Sequence, residues 1–317
     1  MAQRYVASVS TLEEILQRLE PSLGPVAGEP APLSGGITNH NFRVTLGGEE
    51  CVVRVHGKDT DALGIDRQAE RLASETATAL GIAPALLAAD EDCLVTRFVP
   101  SDPVDARDIS QRAGELARAL CSFHDSPAVL PARFWVPELL DQYAAQVHAR
   151  SVRLPDSYGE AAAVAARIAA ALAPWRPRPC HNDLLASNII RAHDRDRLLI
   201  VDWEYAGMGH PCFDLGNLSV NNDFDEADDE RLLRAYRGVP PSDAHRATLA
   251  LMRILSDARE AAWGVVQAEV SELDFDFDRY ARTHFERLRA AVEQPQLGEW
   301  LAAAGAGAWE EHRGQTA

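Results

Sequence analysis

Five polar residues near the middle of the chain, His181, Asn182, Asp183, Asn188 and Asp202, have the types and spacing to act on a phosphoryl group. In the segment HNDLLASNII a His-x-Asp-x-x-x-x-Asn pattern sets a carboxylate and an amide five positions apart. That is the spacing of a phosphoryl-transfer loop in which the Asp accepts a hydroxyl proton and the Asn holds Mg²⁺. The apolar run Leu198 to Val201 then delivers Asp202 at a strand end, where a second metal-binding carboxylate belongs. Asp183 is thus the expected catalytic base, and Asn188 and Asp202 the expected metal ligands. Taken singly, each piece has an ordinary reading as a loop turn or a strand-ending Asp. Their order, with apolar strands on both sides, is what points to chemistry. A metal hydrolase built on His181 and Asp183 competes, but no other His, Cys or carboxylate cluster has the spacing of a closed coordination shell.

A second set of residues could hold ATP. Ser34, Gly35, Gly36, Thr38 and Asn39 lie between two extended segments, where glycines let backbone N–H groups approach phosphate oxygens; an ordinary hairpin turn is the alternative. Arg54 is a charge among β-branched neighbours in CVVRV, and it needs a partner if its face is buried. ATP phosphate and a carboxylate would supply one, with Glu70 the first candidate and Glu75 the second. Phe98 and Val99, at the end of the fifth strand, would form a hinge offering backbone hydrogen bonds to adenine.

The elements that must position these groups follow from periodicity and punctuation. Ser10 and Glu13 have capping-box spacing and open a short helix through Leu19, which Pro21 closes. Extended segments come next around Leu33, at Phe42 to Leu46 and at Cys51 to Val55, with Gly47 and Gly48 turning the chain between the last two. A helix from Asp66 to Leu80 and strands at Leu86 to Ala88 and Cys93 to Phe98 complete a small N-lobe, residues 1–99. Two prolines, Pro100 and Pro103, break the pattern and mark the boundary. Residues 100–317 form a larger, mainly helical C-lobe, with helices at Ile109 to His124, Pro137 to Arg150, Glu160 to Leu172, Glu226 to Tyr236 and Asp243 to Val270. An Ala/Gly-rich end spans Leu301 to Ala308. The expected fold is α+β and bilobal: a five-stranded antiparallel sheet with a helix, then helices around the loop.

Composition bounds the function. A 317-residue chain that is 46% hydrophobic can bury a large core, and a net charge of −17 with no basic patch argues against a nucleic-acid or anionic-membrane partner. No apolar stretch is long enough to span a bilayer, and no signal pattern opens the chain. Five widely spaced cysteines without a Cys-x-x-Cys pair indicate neither a disulfide framework nor a zinc site, so a reducing cytoplasm is the expected location. Asp274, Asp276 and Asp278 mimic a calcium loop but lack its Gly and its closing Glu, so a solvated acidic turn is expected.

The motifs LSGGITN (Leu33 to Asn39), CVVRV, HNDLLASN, VDWEYAGMG (Val201 to Gly209) and FDLGN (Phe213 to Asn217) together resemble the aminoglycoside phosphotransferase and choline kinase group of small-molecule kinases, over roughly Leu33 to Val292. Arg54, the Asp202-Trp203-Glu204-Tyr205 run and the AWGVVQAEVSELDFDFDRYARTHF segment look more like the choline and ethanolamine kinases. The resemblance implies a protein-kinase-like fold and the use of ATP and Mg²⁺. It also implies an acceptor pocket that takes Glu204, Trp263 and Tyr280, and Asp214 as a carboxylate bracing the catalytic loop. Aromatic faces suit a quaternary ammonium, which cannot donate strong hydrogen bonds, at roughly 0.5 to 2 kcal/mol each; helix packing is the ordinary role of such rings. Glu260 stands where the animal enzymes have a second tryptophan, so ethanolamine joins choline as an expected acceptor. An aminoglycoside or other natural product, and a non-catalytic nucleotide-binding regulator, are the alternative functions, and monomer and homodimer both remain open.

Overall fold

The computed structural model describes residues 11–33, 39–57, 63–194, 196–271, 273–306 and 309. The chain opens with α1 (Leu12–Leu23), capped by Thr11, whose hydroxyl accepts from Glu14 N while the Glu14 carboxylate accepts from Thr11 N at 2.8 Å. The capping box thus sits one residue later than Ser10 and Glu13 suggested, and Ser10 lies outside the described residues. Pro21 falls inside the last turn and does not close the helix: proline removes only its own donor, and Gly24 N still reaches Glu20 O at 2.9 Å.

Strands β1 (Val26–Leu33), β2 (His40–Leu46) and β3 (Glu49–Val55), then α2 (Arg67–Ala79), β4 (Leu86–Ala89) and β5 (Cys93–Arg97), build an antiparallel sheet in the order β1-β2-β3-β5-β4. Strand parity sorts its side chains. Cys51, Val53 and Val55 face Ile15, Leu16 and Leu19 of α1 in a small apolar core. Val52 and Arg54 point the other way, into the cavity described below. A one-residue slip of β3 would turn Arg54 into the apolar core, so register and function are fixed together. Asp66 caps α2 by accepting from Ala69 N at 2.9 Å, and Gly81, at φ 71°, ends it.

Within the segment with two prolines, Ser101–Pro103 form a short strand, β6, which pairs antiparallel with residues 190–192. Edge pairing tolerates the missing donor of Pro103. The first long helix of the C-terminal part is two, α3 (Ala106–Gln111) and α4 (Ala113–His124), because Arg112 leaves helical geometry at φ −107°, ψ 17°. Helices α5 (Val136–Ala149) and α6 (Asp156–Ala171) follow. Strands β7 (Arg178–Cys180), β8 (Ile189–Ala192), β9 (Arg197–Ile200) and β10 (Gly207–Gly209) frame the loop, with β6-β8-β9 and β10-β7 as two small sheets.

Helices α7 (Pro211–Asn221), α8 (Glu226–Arg237), α9 (Asp243–Val270), α10 (Phe277–Val292) and α11 (Leu297–Gly305) complete the described chain. Helix α9 runs 28 residues and is buried over most of its length, with α7, α10 and α11 packed around it. The sequence end that reads as an Ala/Gly-rich tail is therefore partly α11. Beyond it Trp309 is buried against the rings of His210 and His245. Among the described residues no helix is long and apolar enough to cross a membrane.

Candidate active site

The loop carrying Asp183 links β7 to β8, and it is held by side chains of α7. Fully buried Asp214 accepts from the backbone N–H groups of His181 at 2.8 Å and Asn182 at 2.7 Å, and from His124 Nε2 at 2.8 Å. Asn217 accepts from Leu184 N, and Asn222 Nδ2 donates to Leu184 O at 3.2 Å. These contacts hold Asn182 at φ 69°, a left-handed conformation that a free chain would rarely adopt. Burial pushes the Asp214 carboxyl up, but the His124 bond and charge, with the loop donors, outweigh it and keep the group below the usual carboxylate range. His124, Cys180 and Asp214 lie close enough together to hold a metal. Hydrogen bonding already accounts for the cluster, and burial holds the Cys180 thiol well above its usual range, hence protonated.

His181 is scaffold. Its Nδ1 accepts from Asp183 N at 3.1 Å, its Nε2 faces Val201 O at 3.0 Å, and its ring stands edge-on to Trp203. Both ring nitrogens are engaged, so the metal-hydrolase alternative, which needs one of them as a ligand, does not fit.

Asn188 Nδ2 donates at 2.9 Å to Asp183 Oδ2 and at 2.9 Å to Asp183 O, locking base and amide together. Burial pushes the Asp183 carboxyl up to about 8; Arg259, 3.2 Å away, pulls it down, while Glu260, Asp202 and Glu204 add to the rise. Asp202, at φ 63°, meets Arg54 across the cleft. Asp183, Asn188 and Asp202 line one cavity of about 570 Å³. Their donors are all oxygens, a carboxylate and amide set that suits a hard cation such as Mg²⁺.

On the sheet side, Arg54 pairs with Glu70 as well as with Asp202, and all three are at least three-quarters buried. Glu75 instead sits on the surface, 3.8 Å from Arg71. Arg67, which sequence reading passed over, joins Glu70 at 2.7 Å to Glu204 at 3.6 Å. Asn39 Nδ2 donates to Glu204 at 2.8 Å. Glu204, expected in the acceptor pocket, therefore turns its carboxylate toward the sheet-side groups. Ser34, Gly35, Gly36 and Thr38 lie outside the described residues. Phe98 and Val99 line the cavity, but the Phe98 N–H donates to Glu50 O at 2.8 Å and so is not available to a base.

At the opposite end, Trp263 on α9 and Tyr280 on α10 face each other, ring centroids 5.7 Å apart and edge-on. Trp263 Nε1 donates to Tyr205 Oη at 2.8 Å, and Tyr280 Oη donates to Glu260 at 2.8 Å. Arg259, 2% exposed, lies over the Tyr205 ring at 4.3 Å and donates to both Glu260 and Asp183. Arg259 and Tyr205 were also missed. The available signal was the spacing Arg259 and Glu260 to Trp263, which puts an ion pair on the aromatic face of a helix otherwise filled with Ala, Leu and Ile.

The model of the phosphotransferase enzyme family matches residues 29–251, from the first strand through the catalytic loop into α9. The chain belongs to that family. A choline/ethanolamine kinase family protein from Mesorhizobium loti is 31% identical, with a TM-score of 0.78 over 93% of this chain and 99% of that one. Choline kinase LicA from Streptococcus pneumoniae shares the fold at 24% identity, with a TM-score of 0.74 over 89% of this chain and 99% of its own. Probable choline kinase 1 of Arabidopsis thaliana is 24% identical over 89% of this chain and 93% of its own length. The chain is thus a phosphotransferase with the bilobal, protein-kinase-like architecture expected from its motifs.

Proposed function

We propose that the chain is an ATP-dependent kinase that phosphorylates the hydroxyl of a small amino alcohol, choline first and ethanolamine second. The observation that carries this reading is a single cavity joining Asp183, Asn188 and Asp202 to the Trp263 and Tyr280 rings, in a member of a phosphotransferase family. The kinases named above as relatives act on such acceptors by name, which supports the same class here.

In this reading Asp183 accepts the acceptor's hydroxyl proton and orients its oxygen toward the γ-phosphorus. Asn188 and Asp202 would hold Mg²⁺, which supplies neutralisation of phosphate charge when bound. Arg54, positioned by Glu70, would carry the phosphates, with residues 34–39 over them and Phe98 and Val99 beside the base. The chain would divide into lobes at Val99 and Pro100, with the nucleotide between them.

Charge counting favours a monocationic acceptor. Arg259 offsets one of the Asp183 and Glu260 carboxylates, and a single cation seated there would draw the raised Asp183 carboxyl back toward its ionised form, whereas a polycationic antibiotic would call for several more carboxylates. Trp263 and Tyr280 would supply apolar faces worth roughly 0.5 to 2 kcal/mol each against an alkylammonium. A coupled ADP-release assay over choline, ethanolamine, their methylated intermediates and kanamycin tests the proposal. Turnover highest with one of the amino alcohols is expected. Preference for kanamycin would move the chain to the antibiotic-modifying class, and turnover of nothing would make it a nucleotide-binding regulator.

A further inference from the structure

Both aromatic rings at the acceptor end are wired back to Asp183 through one buried residue. From Tyr280, the path runs Oη to Glu260 at 2.8 Å, Glu260 to Arg259 Nη1 at 2.8 Å, and the same Nη1 to Asp183 Oδ1 at 3.2 Å. From Trp263 it runs Nε1 to Tyr205 Oη at 2.8 Å, and the Tyr205 ring carries the Arg259 guanidinium on its face at 4.3 Å. We propose that Arg259 is a positioning residue that couples the seating of the acceptor's cationic head to the orientation of the Asp183 carboxylate. The inference rests on the amino-alcohol kinase reading and on Asp183 as its base.

The geometry admits little else. Arg259, Glu260 and Asp183 are each at least nine-tenths buried, so neither carboxylate can turn away without stranding a charge. The Tyr205 face covers the Arg259 guanidinium at 4.3 Å, and the Tyr143 hydroxyl lies beside it. The Arg259 guanidinium thus touches both paths, through Nη1 to the two carboxylates and through its face to the Tyr205 ring. An ammonium group seated in the cavity against Trp263 and Tyr280 would press on both paths at once, and Asp183 Oδ1 is where they end. Asn188 fixes the other oxygen, Oδ2, at 2.9 Å, so Arg259 decides how far the carboxylate rotates about that anchor. Lysine keeps the charge and one donor nitrogen but has no planar guanidinium to lie on the Tyr205 ring, so it would reach the carboxylates without the link to that ring.

The test uses the full chain with Mg-ATP and its best amino-alcohol acceptor. Arg259→Met should lower kcat about 100-fold and Arg259→Lys about tenfold, with KM for ATP changed less than about threefold, the cost of a carboxylate displaced by about an ångström. Tyr280→Phe, which keeps the ring and loses only the hydroxyl, should cost kcat about threefold to tenfold, and should cost nothing further once Arg259 is Met. In an Asp183→Asn background, Arg259→Met should change the residual kcat by less than about twofold, because its effect runs through Asp183. Equal losses with and without the Asp183 carboxylate, or an unchanged kcat in Arg259→Met, overturn the proposal. A melting temperature held within a few degrees separates positioning from collapse, and Arg259→Lys serves if the Met variant does not fold. Full activity in Asp183→Asn alone would instead overturn the function on which the inference stands.

Discussion

Asn39 Nδ2 lies 2.8 Å from the carboxylate of Glu204, so the residue that ends the glycine-rich segment is bonded across the cleft to the segment that carries Asp202. Asn39 Oδ1 meanwhile accepts from Gly57 N at 3.3 Å, which ties the same side chain to the end of β3. Asn39→Ala should raise KM for ATP about tenfold, the worth of one buried hydrogen bond to a charged group, with a smaller change in KM for the acceptor. Initial-rate kinetics with each substrate varied in turn check this, and an effect confined to the acceptor would remove Asn39 from the nucleotide side.

Asp183→Ala should lower kcat by about 10² to 10⁴ while leaving nucleotide affinity nearly intact, since general-base catalysis contributes in that range. Asp202→Ala should instead weaken the binding of Mg-ATP, and it also releases Arg54 from its partner. Nucleotide titration with and without Mg²⁺ separates the two: the gain in affinity that Mg²⁺ brings should be lost in Asp202→Ala and kept in Asp183→Ala.

The brace behind the loop is a stability element as well as a positioning one. Asp214→Ala leaves two backbone N–H groups and His124 without their acceptor in a fully buried site, at about 1 to 3 kcal/mol apiece, so a loss of about 3 kcal/mol or more is expected. Urea unfolding measures it directly. A loss under about 1 kcal/mol would mean that water or another side chain takes over the brace.

Gly216, in the FDLGN segment, lets α7 approach α9. A Cβ there would lie 2.7 Å from Met252 Cβ and 2.8 Å from the Met252 carbonyl carbon, so backbone must shift to admit it. Gly216→Ala should cost about 1 to 3 kcal/mol by overpacking, and because α7 carries Asp214 and Asn217, activity should fall with stability. Thermal unfolding and kcat measured on the same preparation test the link; an alanine variant as stable as the parent contradicts it.

Acid should destabilise the chain through buried histidines. Burial holds His210 down to about 3, and its Nδ1 caps α7 by accepting from Cys212 N at 3.1 Å, a role open only to the neutral ring. Burial, with Arg67 beside it, holds His56 down to about 4. In the unfolded chain both titrate near 6.5. As pH falls below 6.5 the unfolded state takes up protons that the native state refuses, so stability drops by up to about 1.4 kcal/mol per pH unit for each ring. Unfolding free energies at about pH 7 and pH 5 for the parent and His210→Gln should show a shallower acid slope in the variant. Equal slopes would show that His210 takes up its proton in the native state too.

What the sequence settled by itself was whatever local rules dictate. Period-2 apolar runs placed the strands of the first sheet, 3.6-residue periodicity placed α2 and α9, and the spacing of Asp183, Asn188 and Asp202 marked the loop, because its steric requirements are local. Boundaries set by competing local signals came out differently: the cap fell on Thr11, Ser101–Pro103 became a paired edge strand, and Arg112 divided a helix. Helix α7 escaped notice because it is buried nearly all round, so no amphipathic stripe marks it; α10 did carry a local signal, an Asp276 cap and Phe277, Ala281, Phe285 and Leu288 on one face, which the acidic run before it obscured. Partners far apart in the chain were decided only by the tertiary structure. Glu70 and not Glu75 meets Arg54, since sheet and helix fix which turn of α2 faces β3. Glu204 turns to Asn39, and Arg259 stands between Asp183 and the two rings, because α9 crosses behind the loop. A buried charge advertises in sequence that it needs a counter-charge, but only the fold brings a particular one within reach.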